Sequence, residues 1–245
     1  LHVACRHQPK NTELIHYWID KNPKAVTMKD QFDRMPLHIA CDVGISHKVI
    51  KTLIDADVQK KSIKTATKLN GRLPIHIACF NKEIEKESIK LLCDADPSND
   101  TLLKSSLDGR LPLHCAVSQK MDVGIIKILL GLNEVDDDET HSNEAIEVVT
   151  ASAHRARNAL YDTYLGMLPL HLAVWKNCPV DTIEVLLEAD TREETVIETV
   201  GLQSHLVRDM NLLDEDERES RDEILIGCCL EKIFHRNQSQ RQLDM

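Results

Sequence analysis

The sequence predicts an all-α solenoid, in which pairs of antiparallel helices are stacked side by side and joined by extended finger loops. Three observations lead to this fold class: a recurring motif that contains histidine, a helical apolar stripe after each copy, and an unusual core composition. Of the 245 residues, 42% are hydrophobic but only 3% are aromatic. Such a core has to be built from Leu, Ile, Val and Ala, which suits stacked short helices.

The motif Pro-Leu-His-x-Ala and its variants recur five times, the first copy without its proline, and the histidines are 36, 38, 38 and 57 residues apart. Proline suits the first position of a helix, because its missing N–H needs no partner there and its φ angle is preset. We therefore expect the first helix of each later unit to begin at Pro36, Pro74, Pro112 and Pro169. The motif histidines are His2, His38, His76, His114 and His171.

An apolar stripe follows each motif at a nearly constant distance. Its residues are spaced i, i+3 and i+4, as in Ile50, Leu53 and Ile54, and this spacing is typical of one face of an α-helix. The stripe predicts a second helix in every unit. Polar residues follow that helix and end in an Asn-Gly or Asp-Gly turn, which forms the tip of the finger loop. Because one helix pair cannot bury its stripe alone, the units are expected to stack into one continuous core.

The two elements together resemble the ankyrin repeat, whose signature is Thr-Pro-Leu-His-x-Ala in a period of about 33 residues. The family's Thr is replaced here by Met35, Leu73, Leu111 and Leu168. In the family, the Thr hydroxyl partners the motif histidine, so we expect these histidines to bond backbone groups of the neighbouring finger instead. The resemblance covers residues 1–190 and implies repeats at about 1–33, 34–70, 71–108, 109–133 and 166–190.

Three stretches depart from the repeat pattern. Residues 134–165 form an insert that starts acidic and continues with helix-compatible residues. It is either a solvated loop with a short helix lying on the stack, or a regulatory or partner-specific arm. We expect residues 191–235 to be a helical cap and residues 236–245 to be a disordered tail. Since Leu1 falls inside a first-helix motif, we also expect the chain to be a fragment of a longer protein.

Charge is divided unevenly along the chain. Residues 1–131 carry 20 Lys and Arg against 15 Asp and Glu, a net of +5, whereas the rest carries 10 against 25, a net of −15. The overall charge of −10 argues against nucleic acid as the main partner. Basic residues cluster in the second finger, where they indicate either a simple solvated loop or a docking site for an acidic partner or for the chain's own acidic half: Lys60, Lys61, Lys64, Lys68 and Arg72.

The sequence contains no motif that indicates catalysis. A Gly-rich phosphate loop, a nucleophile elbow and the kinase motifs are all absent. A His-x-x-Cys pair recurs three times, but a tetrahedral zinc site needs four converging ligands, and successive repeats lie about 10 Å apart. The recurring cysteines, Cys5, Cys41 and Cys79, instead indicate small buried residues in a reducing, intracellular and cytoplasmic environment. We expect no catalytic residue, metal or cofactor, and no membrane span.

The ankyrin resemblance implies that a partner lies in the concave groove between the finger tips and the exposed face of the first helices. Arg and large aromatic side chains dominate the energetics of such interfaces. Phe80 and Trp175 hold the same position in their repeats, as do Arg72 and Arg110. The predicted groove residues are Arg6, His7, Arg34, Asp42, Arg72, Phe80, Asn81, Arg110, Ser118, Gln119, Trp175 and Lys176.

These observations predict a monomeric scaffold or adaptor that binds another protein and has no catalytic activity. The main alternative is a regulatory ankyrin segment of a larger signalling protein, such as a kinase, a channel or a ubiquitin-ligase adaptor. An enzyme within residues 191–245 is disfavoured, because this stretch is too short for an independent catalytic fold. A helix-only solenoid of the tetratricopeptide type is disfavoured by the Asn-Gly and Asp-Gly fingers.

Overall fold

The computed structural model describes residues 1–132 and 168–189, apart from the side chain of His171. These ranges contain helices, turns and loops but no strand, and none of their helices is long and apolar enough to cross a membrane. The predicted insert 134–165, cap 191–235 and tail 236–245 lie outside them. The helices are α1 His2–His7, α2 Thr12–Lys21, a 3₁₀ helix Pro23–Thr27, α3 Pro36–Val43, α4 His47–Ala56, α5 Lys61–Lys64, α6 Pro74–Ala78, α7 Lys86–Asp94, α8 Pro112–Ser118, α9 Val123–Leu129, α10 Pro169–Trp175 and α11 Val180–Ala189.

Ten of the twelve helices described in residues 1–132 and 168–189 are stacked in two rows of five. In the first row, each first helix contacts the next, in the order α1, α3, α6, α8 and α10. In the second row, the order is α2, α4, α7, α9 and α11. The buried side chains of both rows belong to one continuous hydrophobic cluster. The predicted solenoid of helix pairs is therefore confirmed.

The first helices begin where the sequence predicts, at Pro36, Pro74, Pro112 and Pro169. The residue before each proline is extended, as the proline ring requires, in every case for which the backbone angles are given. The side chains in the place of the family's Thr are core residues: Met35, Leu73 and Leu111 are 0% exposed and Leu168 is 7% exposed. Full burial of such a side chain contributes about 1.5–3 kcal/mol, so these replacements extend the core towards the fingers.

The buried histidine of the second pair joins a helix to a finger. The backbone N–H of Met35 donates to Nδ1 of His38 (3.0 Å), and Nε2–H donates to the carbonyl of Thr65 (2.9 Å). The first bond satisfies an N–H group at the start of α3, which has no partner within the helix. In the fourth pair, the N–H of Leu111 donates to Nδ1 of His114 in the same way (3.4 Å).

The same pattern occurs in the third pair, and the bond from the histidine to a finger carbonyl also occurs in the first. The N–H of Leu73 donates to Nδ1 of His76 (3.2 Å), and Nε2–H of His76 donates to the carbonyl of Arg110 (3.1 Å). In the first pair, Nε2 of His2 bonds the carbonyl of Arg34 (2.9 Å). The expectation that the histidines bond backbone groups of the fingers is confirmed for His2, His38 and His76.

The polar stretch after the second helix starts with a compact turn before it becomes a finger. This turn is the 3₁₀ helix in the first period and α5 in the second. Each turn buries one apolar side chain against the core: Val26 is 0% exposed, Ile63 is 3% exposed, and Leu102 in the third period is 3% exposed. The stretch between the second helix and the finger tip is therefore packed against the core in these periods.

Two buried aspartates organise these turns. The carboxylate of Asp57 accepts the N–H of Ser62 (2.5 Å), and that of Asp96 accepts the N–H of Thr101 (2.8 Å). Asp57 and Asp96 are only 3% and 2% exposed. Lys64, in α5, brings its Nζ within 3.3 Å of Asp96 in the next period. One residue of the basic cluster thus forms an ion pair between neighbouring periods.

The finger tips are connected to one another by backbone hydrogen bonds. The N–H of Lys68 donates to the carbonyl of Phe32 (3.0 Å), and the N–H of Leu107 donates to the carbonyl of Asn70 (2.9 Å). Each bond joins a finger to its predecessor, so the three described fingers form a continuous edge along the first-helix row. The tips turn through residues with positive φ angles: Asp33 (59°), Gly71 (66°) and Gly109 (80°).

The two glycines give a matched test of this close packing. A Cβ on Gly71 would lie 2.8 Å from Cγ and 3.0 Å from the backbone nitrogen of Leu107, whereas a Cβ on Gly109 would meet nothing within 4 Å. Both substitutions force a left-handed Ala, which costs about 1–2 kcal/mol. We predict that Gly71→Ala lowers the free energy of unfolding clearly more than Gly109→Ala, measured by urea denaturation. Equal losses would show that the fingers are not in contact.

The histidines predict a pH dependence of stability. Burial lowers the pKa of His38 and His76 from 6.5 to about 4. The folded state favours the neutral imidazole, so the contribution of each histidine to the free energy of unfolding is complete above pH 6.5. It is lost as the pH falls from 6.5 to 4, by about 3 kcal/mol for each histidine. His38→Gln and His76→Gln, which retain a donor and an acceptor but do not titrate, should reduce this dependence in denaturation at pH 7 and pH 4.5. An unchanged dependence would show that other groups cause the acid unfolding.

Candidate functional site

A cavity of about 590 Å³ lies between the first-helix row and the fingers of the first and second periods. Five of the predicted groove residues line it, namely Arg34, Asp42, Arg72, Phe80 and Asn81. Other lining residues were not predicted from the sequence, among them Phe32, Leu69 and Lys82. A positional signal was present, because Phe32 and Leu69 stand one and two residues before Asp33 and Gly71, the positive-φ residues of their finger tips.

Phe80, just beyond α6, lies beside two guanidinium groups. Cζ of Arg72 is 4.2 Å and Cζ of Arg110 is 5.6 Å from the centroid of its ring, within the range of cation–π attraction. The carboxylate of Asp108 lies 3.6 Å from Nη2 of Arg72 and 3.4 Å from Nε of Arg110. Partial burial raises the pKa of Asp108, but the hydrogen bond from Ser106 and the two arginine charges bring it below its usual value.

Arg34, in the first finger, has a tighter arrangement. Its Nε and its Nη2 both lie 2.8 Å from Oδ2 of Asp30. The other oxygen of Asp30 accepts the backbone N–H groups of Phe32 (2.8 Å) and Arg34 (2.9 Å). The guanidinium also lies over the ring of Phe32, 4.9 Å from its centroid. Arg34 is therefore held by its own finger, whereas Arg72 and Arg110 share one carboxylate at longer distances.

Asn81 has a structural role that the sequence analysis did not foresee. Its Nδ2 donates to the carbonyls of Cys41 (3.0 Å) and Asp42 (3.1 Å), at the end of α3. The third helix pair thus supplies partners for carbonyls that have none within α3. The carboxylate of Asp42 lies 3.8 Å from Nη2 of Arg6, in an exposed pair of little energetic weight. Arg6 and His7 are exposed at the end of α1 and do not line the cavity.

The remaining predicted residues lie further along the first-helix row and do not line the cavity. The hydroxyl of Ser118 donates to the carbonyl of Cys115 within α8 (2.8 Å), and Gln119 follows as the last residue of that helix turn. Trp175 is half-buried against the core, and Nζ of Lys176 lies 4.4 Å from the centroid of its ring. The structure therefore brings together five predicted residues around the cavity, with Arg110 beside Phe80, but it leaves Ser118, Gln119, Trp175 and Lys176 apart from them.

One group of side chains in the described part of the chain has the composition of a metal site. The ligand atoms of His47, Glu85 and Glu87 lie within 4.8 Å of one another. The backbone N–H of His47 donates to Glu85 (2.8 Å), its ring also bonds this carboxylate, and both contacts lower the pKa of Glu85. The group surrounds the N-termini of α4 and α7, where the helix dipole favours anions over cations. Its evident role is to cap α4 from the neighbouring pair.

The recurring cysteines and Cys115 are buried and unreactive. Burial raises the pKa of the Cys5 thiol to about 11 and that of Cys115 to about 12, and raises that of Cys41 and Cys79 still further. Thiolates are the form that binds zinc or attacks an electrophile, so these groups are poor ligands and nucleophiles at neutral pH. They serve as small core residues between successive helix pairs.

Comparison with known proteins identifies the family. The profile described as "Ankyrin repeats (3 copies)" matches residues 1–101 and 50–141, more than half of the chain. The chain therefore belongs to the ankyrin-repeat family. Ankyrin repeats are generally protein–protein interaction modules, and the family is typically non-catalytic. No curated protein gives a significant match to the chain.

The contacts of Asn81 predict that it stabilises the fold. Asn81→Ala removes two hydrogen bonds to helix-end carbonyls, so we expect a loss of about 1–2 kcal/mol in the free energy of unfolding. Gln119 holds the equivalent position of the fourth period, and Gln119→Ala should cost less than about 0.5 kcal/mol. Urea denaturation of both variants is the measurement. Similar losses for the two variants would contradict the capping role.

Proposed function

We propose that this chain is a scaffold or adaptor that binds a partner protein along the edge formed by its fingers and first helices. The observation that carries the proposal is the exposure of apolar residues on that edge. Leu69 and Leu107, at the tips of consecutive fingers, are 73% and 74% exposed. Each stands three residues before the arginine of its own finger, Arg72 or Arg110. Exposed apolar side chains beside arginines and an aromatic ring have the composition of an interface centre.

The groove is also organised before a partner binds. The ring of Phe80 and the carboxylate of Asp108 restrict the guanidinium groups of Arg72 and Arg110. The backbone hydrogen bonds between the finger tips fix the spacing of the leucines. Side chains that are ordered in advance lose less entropy on association, so the same contacts give a higher affinity. A rigid surface of this kind suits a protein that holds its partner rather than one that reacts with it.

A second exposed surface provides a rival location for the interface. Tyr17 and Trp18 on α2 are 52% and 46% exposed, and their rings are in edge contact at 5.8 Å. They belong to the second-helix row, whereas the groove follows the first row. Residues of the two surfaces can therefore be substituted separately, and each serves as the control for the other.

The proposal predicts where substitutions weaken binding. A partner is first captured by affinity purification with the whole chain, and its affinity is then measured by biolayer interferometry. Phe80→Ala and the double variant Arg72→Glu/Arg110→Glu should each weaken binding at least about tenfold, because they remove the centre of the interface. Trp175→Ala tests whether the interface extends to the fifth pair.

The matched control is Tyr17→Ala, which removes an exposed aromatic ring from the other row and should leave the affinity unchanged. Each variant is compared with the parent chain by circular dichroism and thermal unfolding. Full affinity in folded groove variants, together with weak binding by Tyr17→Ala, would place the interface on α2 and contradict the proposal.

A further inference from the structure

The geometry points to a specific class of partner: an acidic peptide segment that places Asp or Glu side chains at Arg72 and Lys82, and an apolar side chain between Leu69 and Phe80. This inference rests on the proposed function, since it names what the groove selects. It follows from the balance of charge in the cavity, from the unsaturated state of Arg72 and from the apolar surface beside it.

The cavity has more positive than negative charge. Its charged lining residues are Arg34, Asp42, Arg72 and Lys82. Three of these have partners of opposite charge: Arg34 is bound to Asp30 at 2.8 Å, Arg72 faces Asp108 at 3.6 Å, and Asp42 faces Arg6 at 3.8 Å. Because Asp108 is shared with Arg110, the charged lining residues and these partners together comprise five cations and three anions. The field inside the cavity is therefore positive. A low-dielectric wall focuses such a field and attracts anionic groups.

Arg72 retains the capacity to bind a carboxylate. Its Nη2 is 3.6 Å from Asp108, beyond the range of a strong hydrogen bond, and Asp108 is shared with Arg110. Its Nε is buried, but the side chain is 27% exposed, so a ligand reaches the guanidinium through its other N–H groups. A peptide carboxylate that approaches the guanidinium can form the short, charge-assisted bonds that the present ion pair lacks.

Phe80 makes Arg72 a better receptor for such a group. The ring centroid lies 4.2 Å from Cζ of Arg72, and the cation–π attraction limits the positions that the guanidinium can take. A planar guanidinium that is restricted in this way suits two-point contact with a planar carboxylate. A lysine at this position would offer a mobile point charge instead of a planar group.

Lys82 and Leu69 line the same cavity as Arg72. Lys82 is exposed and forms no ion pair with any other described residue. Leu69 is 73% exposed beside Lys68, which is also exposed. A ligand that satisfies both the cations and the leucine has to be amphipathic. An acidic segment with an apolar residue among its carboxylates has this character, whereas a basic segment would be repelled by the like charges of Arg72 and Lys82.

The test uses the whole chain and a defined probe. The probe is a fluorescein-labelled peptide with the central sequence Glu-Glu-Leu-Glu-Glu between Gly-Ser flanks. Two control peptides carry Lys or Gln in place of every Glu. Fluorescence anisotropy at low and at moderate salt should show that the Glu peptide binds at least about tenfold more tightly than either control. The difference should shrink as salt rises, because screening weakens the attraction.

Two variants connect the preference to the site. Arg72→Gln should weaken binding of the Glu peptide about tenfold. Lys82→Gln should weaken it several-fold, and because Lys82 is exposed, this substitution should leave the stability of the fold unchanged. Lys51→Gln, an exposed cation on α4, is the matched control and should bind like the parent chain. Absence of binding, equal binding of the Glu and Lys peptides, or parent-like binding by both Arg72→Gln and Lys82→Gln would overturn the inference. In those cases the proposed function still stands if Phe80→Ala loses the captured partner.

Discussion

Burial of one helix pair by the next is the interaction on which the whole structure depends. Ile50 and Leu53 of α4 are completely buried, and α4 contacts both α2 and α7 in the second row. An isolated pair would leave this stripe in water and lose about 1.5–3 kcal/mol for each large side chain. Stability is therefore the sum of contributions from each pair and from each contact between neighbours. This is also why a long, open edge remains available on the fingers and first helices.

Polar contacts between pairs give this apolar stack a defined register. Asn81 and Glu85 of the third pair supply hydrogen-bond partners at the end of α3 and the start of α4. His38 connects the start of α3 to the following finger through two backbone groups. Each contact satisfies a backbone group that would otherwise be unpaired, and an unpaired buried group costs about 1–3 kcal/mol. A shifted arrangement would lose these contacts while keeping much of the apolar burial.

The sequence predicts those features that depend on local pattern. Pro36 and Pro74 mark helix starts, and the Ile50–Leu53 stripe marks a second helix, because these signals lie within a few residues of the structure they specify. It could not predict that Asn81 binds the carbonyl of Cys41, or that Arg72 and Arg110 share Asp108, because those contacts depend on which residues of neighbouring pairs face each other.

Hydrogen exchange measured by mass spectrometry tests the central claim most directly, namely that the chain binds its partner along the edge of fingers and first helices. The whole chain is compared alone and with a captured partner. The account predicts that protection increases in the segments 67–72, 80–82 and 106–110, which form the cavity and the neighbouring finger tip. Protection confined to α2, around Tyr17 and Trp18, with no change in the fingers, would contradict it.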